Sequence, residues 1–257
     1  MIMNEAIEQG AFTFGSLFSG IGGIDLGLER AGFKVKWQSE IEPYSCRVLK
    51  KHWADVPNLG DITQIKWDEV EPVDVIAGGY PCQPFSLAGT RKGNDDERYL
   101  WDYFCEAVSV LRPRVAFLEN VRGHYTLGFD RVLGDLASIG YDAEWQTVSA
   151  QSMGAPHKRE RLICLAYPIG EPIGASGDSF DKDGKASGQE WGREFFPIAR
   201  RRCTPQRPFE WWRVEPCVDR MVDGVPDRLD RLRGLGNAVV PQVAEYVGSI
   251  IQSILNG

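Results

Sequence analysis

One cysteine, Cys82, has the sequence context of a reactive thiol. Residues 79–86 read Gly-Tyr-Pro-Cys-Gln-Pro-Phe-Ser and follow residues 73–77, an apolar run typical of a strand. The two prolines each fix a backbone φ angle, so the turn loses little conformational entropy when it orders. The preceding Gly78 and Gly79 let a backbone or a ligand approach closely. Cys82 is therefore a candidate nucleophile, and the alternative is a small hydrophobic residue in a core.

Glu119 is a candidate acid. It follows residues 115–118, a second apolar run typical of a strand. A carboxyl group that leaves such a segment is expected to have a raised pKa, which favours its protonated form. The alternative is a helix cap or an ion pair. Arg159 and Arg161 precede a further strand-like run, where an arginine pair without other context is a surface feature.

A glycine-rich turn separates the first predicted strand, residues 12–18, from the first predicted helix, residues 24–31. The turn reads Ser-Gly-Ile-Gly-Gly, and such turns bind cofactors at the carboxyl ends of strands in doubly wound sheets. A dinucleotide-binding pattern requires a glycine three residues after Gly22, but Asp25 occupies that position. The nicotinamide interpretation is therefore disfavoured.

Glu40 lies twenty residues after Gly20, at the end of the predicted second strand, residues 35–39. A carboxylate there can accept hydrogen bonds from both hydroxyls of a ribose. This geometry suits any ligand of the adenosine type.

Five segments together resemble the cytosine-5 DNA methyltransferases, which depend on S-adenosylmethionine. They are the glycine turn with its preceding strand, the Cys82 octapeptide, Glu119-Asn120-Val121, the run Gly-Ala-Pro-His-Lys-Arg-Glu-Arg at 154–161, and Gly-Asn-Ala-Val-Val-Pro at 236–241. They occur in the family's order over about two-thirds of the chain. The resemblance implies methyl transfer to carbon 5 of a flipped-out cytosine in a short, specific duplex DNA sequence, through a covalent Cys82 adduct at carbon 6.

The resemblance also implies roles for individual residues. Glu119 would hold ring nitrogen 3 and the exocyclic amine, and Arg161, supported by Arg159, would contact the carbonyl oxygen of the base. Phe18 would flank the adenine, Glu40 would bind the ribose, and Asp61, which taken alone is a turn or cap residue, would bind the adenine amine. The full set of implied cofactor-binding residues is Phe18, Gly20, Ile21, Gly22, Glu40, Ile41, Asp61, Ile62, Pro81, Leu100, Asn237, Ala238 and Val239.

Two features depart from the family pattern. His157 stands where glutamine is usual, and the motif expected before the last helix is not recognisable in residues 226–233. Neither departure affects the residues of the implied core chemistry.

Composition limits the function class. The 257 residues are 43% hydrophobic with a net charge of −7, which argues against a nonspecific nucleic-acid binder. The six cysteines include no pair two residues apart and the three histidines do not cluster near them, so neither a zinc site nor a disulfide framework is predicted. No apolar stretch reaches the roughly 18 residues of a membrane span, and a cytoplasmic location is expected.

Residues 191–213 form a basic, aromatic segment with six arginines against two glutamates. Arginine forks and aromatic faces suit a phosphate-rich partner, and the alternative is a solvated basic surface over a small aromatic core. The residues predicted to contact DNA are Gln83, Ser86, Arg200, Arg201, Arg202, Arg207 and Arg213.

Alternating strand and helix patterns predict an α/β fold, with a Rossmann-like methyltransferase sheet, helices on both faces and a small target-recognition lobe. The catalytic domain is predicted at residues 1–168 and is completed by a helix at 234–257. The lobe would occupy 169–233, with a flexible segment at 170–190.

Duplex DNA is the expected partner of a monomer, with a separate restriction endonuclease or none, as for an orphan or phage enzyme. An RNA cytosine-5 methyltransferase and an inactive DNA-binding relative remain as alternatives.

Overall fold

The computed structural model describes residues 11–81, 100–126, 128–170, 230, 234–236 and 238–256. The strands in these ranges are β1 (Thr13–Leu17), β2 (Lys34–Ser39), β3 (Val75–Gly78), β4 (Val115–Val121), β5 (Tyr141–Ser149) and β6 (Glu160–Pro168). The helices are α1 (Gly23–Arg30), α2 (Pro43–His52), α3 (Trp101–Leu111), α4 (Phe129–Ser138) and α5 (Pro241–Asn256).

The strands form one sheet in the order β2-β1-β3-β4-β6-β5. β2, β1, β3 and β4 are parallel, whereas β6 runs antiparallel to both of its neighbours. The chain leaves β1 toward one edge to form β2 and later returns on the other side of β1 to form β3. The strand order therefore reverses between β1 and β3, which is where a doubly wound sheet has its ligand crevice.

Helices cover both faces of the sheet, as predicted. Side chains from alternate strand positions form two buried clusters, one under α3 and α4 and the other under α1 and α5. The elements predicted at residues 12–18, 24–31 and 35–39 match β1, α1 and β2 to within one residue. β4 extends three residues beyond its predicted end at 118, and β5 was predicted as a strand only over residues 145–148. It is the edge strand and is half exposed, so its apolar pattern is weak.

α5 packs closely on α1, and glycine makes the approach possible. A Cβ on Gly27 would lie 2.4 Å from the Cβ of Ala244 and 2.5 Å from the carbonyl oxygen of Pro241. These partners belong to the core and the backbone of α5, so the whole helix would have to move.

Gly27→Ala should therefore destabilise the protein by about 1–3 kcal/mol, because overpacking outweighs the gain in helix propensity. Urea unfolding measures this. Gly134→Ala is the matched control, since it lies inside α4 with no atom within 4 Å of its added Cβ. It should stabilise the protein by about 0.5–1 kcal/mol. Equal effects of the two substitutions would contradict the packing explanation.

Among the helices of the described ranges, none has the length and apolar character that a membrane crossing requires.

Candidate active site

Glu119 lies inside β4, not at its end. The predicted strand stops at residue 118, but pairing with β6 continues through Val121. Side chains alternate between the faces of a strand. Glu119 therefore faces the side covered by α1 and α5, and Asn120 faces the opposite side. Glu119 is only 6% exposed.

Arg161 on β6 pairs with Glu119. The backbone of Arg161 lies opposite Val121, so its side chain reaches diagonally to Glu119 on the same face. Arg161 Nε lies 2.8 Å from Glu119 Oε1. The contact is a buried ion pair, and Oε1 has no other partner among the described residues. Oε1 therefore keeps a lone pair that a ligand can use.

Burial raises the pKa of Glu119 to about 7, and the positive charges of Arg161 and Arg159 only partly oppose it. The prediction of a raised pKa is confirmed. Near neutral pH the group can be protonated, so it can donate a proton to one ligand atom and accept a hydrogen bond from another.

Arg159 connects this site to the C-terminal segment. Its backbone has the left-handed φ of 32°, and Nη2 donates hydrogen bonds to the carbonyl oxygens of Leu235, Gly236 and Ala238. Desolvation lowers the pKa of the guanidinium. Arg159 therefore fastens residues 235, 236 and 238 of the C-terminal segment beside Glu119 and Arg161.

Gly79 brings the segment that leads to Cys82 directly against Glu119. A Cβ on Gly79 would lie 2.5 Å from Glu119 Oε2, and a Cβ on Gly78 would lie 2.5 Å from the carbonyl oxygen of Leu17. The predicted close approach at this glycine pair is confirmed. Cys82 itself lies outside the described residues, three positions after Gly79.

The glycine turn bends at the carboxyl end of β1. Phe18, Gly20 and Gly22 have positive φ angles of 52°, 56° and 83°. A Cβ on Gly23 would lie 2.4 Å from the carbonyl oxygen of Val239. The C-terminal segment therefore closes over the glycine turn.

Glu40 is anchored to the glycine turn. Its Oε2 accepts a hydrogen bond from the Gly20 N–H at 2.7 Å, and its Oε1 accepts from the N–H groups of Ile41 and Glu42. These bonds orient the carboxylate. Oε1 already accepts two of them, whereas Oε2 accepts one and retains a lone pair that a ribose hydroxyl can use.

Asn58 and Asp61 lie in the loop next to Glu40. Asn58 Oδ1 accepts from the N–H groups of both Glu40 and Gly60. Asp61 caps a short 3-10 helix, with Oδ1 accepting from the N–H and hydroxyl of Thr63. The cap leaves Oδ2 for a ligand.

The other implied cofactor residues have mixed exposure. Ile62 is buried, Ile41 is 64% exposed, and Pro81 and Leu100 are half-buried at the two ends of the interval 82–99. The donor and acceptor set around Gly20, Glu40 and Asp61 fits the ribose and adenine of S-adenosylmethionine.

Several predicted site residues lie outside the described residues: Cys82, Gln83, Ser86, Asn237, Arg200, Arg201, Arg202, Arg207 and Arg213.

Comparison with known proteins agrees with this geometry. The family of C-5 cytosine-specific DNA methylases matches residues 12–186. The type II methyltransferase M.NaeI of Lentzea aerocolonigenes is 30% identical over 93% of this chain and 74% of its own length.

The chain belongs to the C-5 cytosine-specific DNA methylase family.

Two further relatives show the extent of the similarity. The type II methyltransferase M.Eco47II of Escherichia coli is 38% identical over 62% of this chain. A solved structure, described as a DNA modification methyltransferase encoded within an E. coli prophage, is 28% identical over 65% of this chain with a TM-score of 0.54. The chain spans only 40% of the length of the former and 49% of the latter. This family transfers a methyl group from S-adenosylmethionine to carbon 5 of cytosine.

In this methylase, Gly79→Ala should reduce kcat by about 10- to 100-fold, because the added methyl group would displace the carboxyl group of Glu119, the predicted acid. The added methyl group meets the far end of the Glu119 side chain, so the carboxylate moves while the fold persists. Steady-state methyl transfer and thermal unfolding measure the two effects separately. Gly123→Ala is the control, since its Cβ would have no atom within 4 Å. A Gly79→Ala enzyme with unchanged kcat would contradict the assigned contact.

Two buried or bridging polar residues of the methylase were not predicted. Asp25 is fully buried and accepts hydrogen bonds from the Ser16 hydroxyl and the Gln38 amide, at 3.0 and 2.7 Å. It therefore joins α1 to β1 and β2 beneath the glycine turn, and burial raises its pKa to about 6. Its position among the apolar residues of an amphipathic helix was the available signal. Asn58 gave no comparable signal, because it lies in a polar loop.

Proposed function

We propose that this chain methylates carbon 5 of a flipped-out cytosine in a short duplex DNA sequence, with Cys82 as the nucleophile and Glu119 as the acid. The observation that carries the proposal is the buried Glu119 carboxyl group. It lies beside Arg161 and against Gly79, three residues before Cys82. The resemblance supports the same assignment of roles.

Each proposed step has a chemical reason. Carbon 5 of cytosine is a poor nucleophile, but bonding of the Cys82 sulfur to carbon 6 makes carbon 5 enamine-like. Ring nitrogen 3 would take up the displaced electron density together with the Glu119 proton. Carbon 5 would then bond to the donated methyl carbon as the methyl–sulfur bond of the donor breaks, with S-adenosyl-L-homocysteine as the leaving product. Ring nitrogen 3 returns its proton to the Glu119 carboxylate, carbon 5 loses its proton to water, and the bond between carbon 6 and the Cys82 sulfur breaks to restore the double bond and the thiolate. Arg161 would bind the carbonyl oxygen of the base.

The cofactor-binding roles are part of the proposal. Glu40 would accept hydrogen bonds from the ribose hydroxyls, Asp61 would accept from the adenine amine, and the glycine turn would lie along the cofactor. S-adenosylmethionine supplies, when bound, a methyl group on a positively charged sulfur. The contact between Gly23 and Val239 closes the pocket from the C-terminal side.

Labelled-methyl transfer tests the proposed substrate. Purified protein and tritiated S-adenosylmethionine are incubated with mixed-sequence duplex DNA and, separately, with transfer RNA. We expect 5-methylcytosine in the DNA digest alone. Label confined to transfer RNA would establish the RNA alternative, and binding to DNA without transfer would establish an inactive relative.

The proposed assembly is a monomer that works in the cytoplasm and contacts DNA through residues 191–213. Any restriction endonuclease would be a separate protein. Bisulfite sequencing of host DNA after expression would give the target sequence, and light scattering of the purified chain would give its oligomeric state.

A further inference from the structure

A buried tyrosine–histidine pair lies immediately before the Cys82 turn. Tyr80 Oη and His124 Nε2 share a hydrogen bond of 2.6 Å, and the two residues are 3% and 0% exposed. Tyr80 is two residues before Cys82, and His124 lies in the short 3-10 helix that follows β4. The pair therefore joins the nucleophile's segment to the strand that carries Glu119.

Tyr80 is held at both its backbone and its side chain. Its carbonyl oxygen accepts a hydrogen bond from Asn120 Nδ2 at 3.2 Å. Its ring packs against those of Trp101 and Phe104, with centroids 5.2 and 6.1 Å away. The hydroxyl bond to His124 removes the remaining rotational freedom of the side chain.

Tyr80 is linked to Cys82 by a very short stretch of chain. Only Pro81 stands between them, and its ring fixes one of the few torsions in the link. Asn120 directly follows Glu119 on β4, so Tyr80 and the acid are attached to the same strand. A shift of Tyr80 would therefore change the distance between thiol and carboxyl group.

We propose that His124, through its hydrogen bond to the Tyr80 hydroxyl, is a positioning residue that sets the Cys82 turn relative to Glu119 for methyl transfer. This inference rests on the proposed function. Neither side chain has to touch the substrate. The contact acts on the geometry of the reacting groups and not on the binding of DNA or cofactor.

Removal of the tyrosine hydroxyl tests the inference. Tyr80→Phe should lower kcat roughly tenfold, because a small misplacement of reacting groups is costly. The KM values for S-adenosylmethionine and duplex DNA should stay within twofold of the wild-type values. His124→Leu should lower kcat similarly, whereas His124→Gln, which keeps a hydrogen-bonding group, should retain more activity. Unchanged kcat in Tyr80→Phe would overturn the inference.

Two controls separate positioning from stability. Tyr141→Phe also removes a buried hydroxyl, one that donates to the carbonyl oxygen of Pro113 at 2.7 Å near the opposite end of the sheet. It should lower the melting temperature and leave kcat unchanged. The double variant Tyr80→Phe/His124→Leu removes both polar groups of the pair, so neither is left buried without its hydrogen-bond partner. Its melting temperature should therefore be higher than that of either single variant. Its kcat should stay low, and recovery of kcat along with stability would reduce the pair to a structural role.

The wild-type assay, run in parallel, separates failure of the inference from failure of the proposed function. Active wild type with an equally active Tyr80→Phe variant overturns only the inference. Wild type that transfers no methyl group to DNA overturns the proposed function and the inference together.

Discussion

Cys82→Ser should retain DNA binding and lose methyl transfer by more than about a thousandfold, because a neutral hydroxyl is a far weaker nucleophile than a thiolate. A duplex that contains 5-fluorocytosine makes the step visible. The fluorine cannot leave carbon 5 as a proton does, so the wild-type enzyme and methyl donor should form an irreversible protein–DNA conjugate. Mass spectrometry of the digest should place the conjugate at Cys82.

The three cysteines of the described residues, Cys46, Cys105 and Cys164, are poor competitors for this reaction. Burial raises the pKa of all three thiols. The pKa of Cys105 rises to about 11. Their thiolate forms are scarce at neutral pH. Cys105→Ser is the matched control and should form the conjugate at the wild-type rate. A fully active Cys82→Ser enzyme would refute the covalent mechanism.

Glu119→Gln should reduce kcat by about 10²- to 10³-fold, because the amide can hydrogen-bond to the base but cannot protonate ring nitrogen 3. The wild-type group, with its pKa raised to about 7, loses its proton as the pH rises through that value. The rate of the step that needs the acid, and with it kcat, should therefore fall as the pH rises above about 7. In Glu119→Gln that decline should be missing from the kcat profile.

Stability gives an independent measure of the same pKa. A carboxyl group whose pKa is raised by folding contributes stability that is full below its unfolded pKa of about 4.5 and is lost as the pH rises through about 7. Urea unfolding between pH 5 and 8 should show this loss in the wild type and a smaller one in Glu119→Gln. The pKa of Asp25 is also raised, so Asp25 makes a contribution of the same sign to the pH dependence of stability. Because Asp25 is present in both proteins, the difference between their unfolding curves is due to Glu119.

Glu144 provides a matched control. It lies on β5 at the edge of the sheet, and burial raises its pKa to about 7 as well. Glu144→Gln should therefore change the pH dependence of stability in the same direction and leave kcat unchanged. Equal losses of kcat in the two variants would contradict a chemical role for Glu119.

The type and order of the elements followed from the sequence because hydrophobic periodicity is a local signal. β1, α1 and β2 lie where they were predicted, and Glu40 follows its strand as expected. Strand direction did not follow, since β6 has an apolar pattern that is equally suited to parallel or antiparallel pairing. The length of the edge strand β5 was also underestimated, because its half-exposed side chains blur the alternation.

The chemical groups of the site could be recognised from the amino-acid sequence: a cysteine between prolines, a carboxyl group after an apolar run, a glycine turn, and the motifs that place the chain in its family. Which of these groups touch is a property of the folded chain. The approach of Gly79 to Glu119 and the diagonal contact of Arg161 depend on strand order and register, which local patterns do not encode.

The same reason explains the hydrogen bonds that were missed. Tyr80 and His124 are 44 residues apart in the sequence, and Arg159 reaches a carbonyl 79 residues away. Such contacts form only after β3, β4 and β6 have taken neighbouring places in one sheet. Burial of Glu119, and with it the raised pKa on which the acid role depends, is likewise a property of the assembled sheet and the helices that cover it.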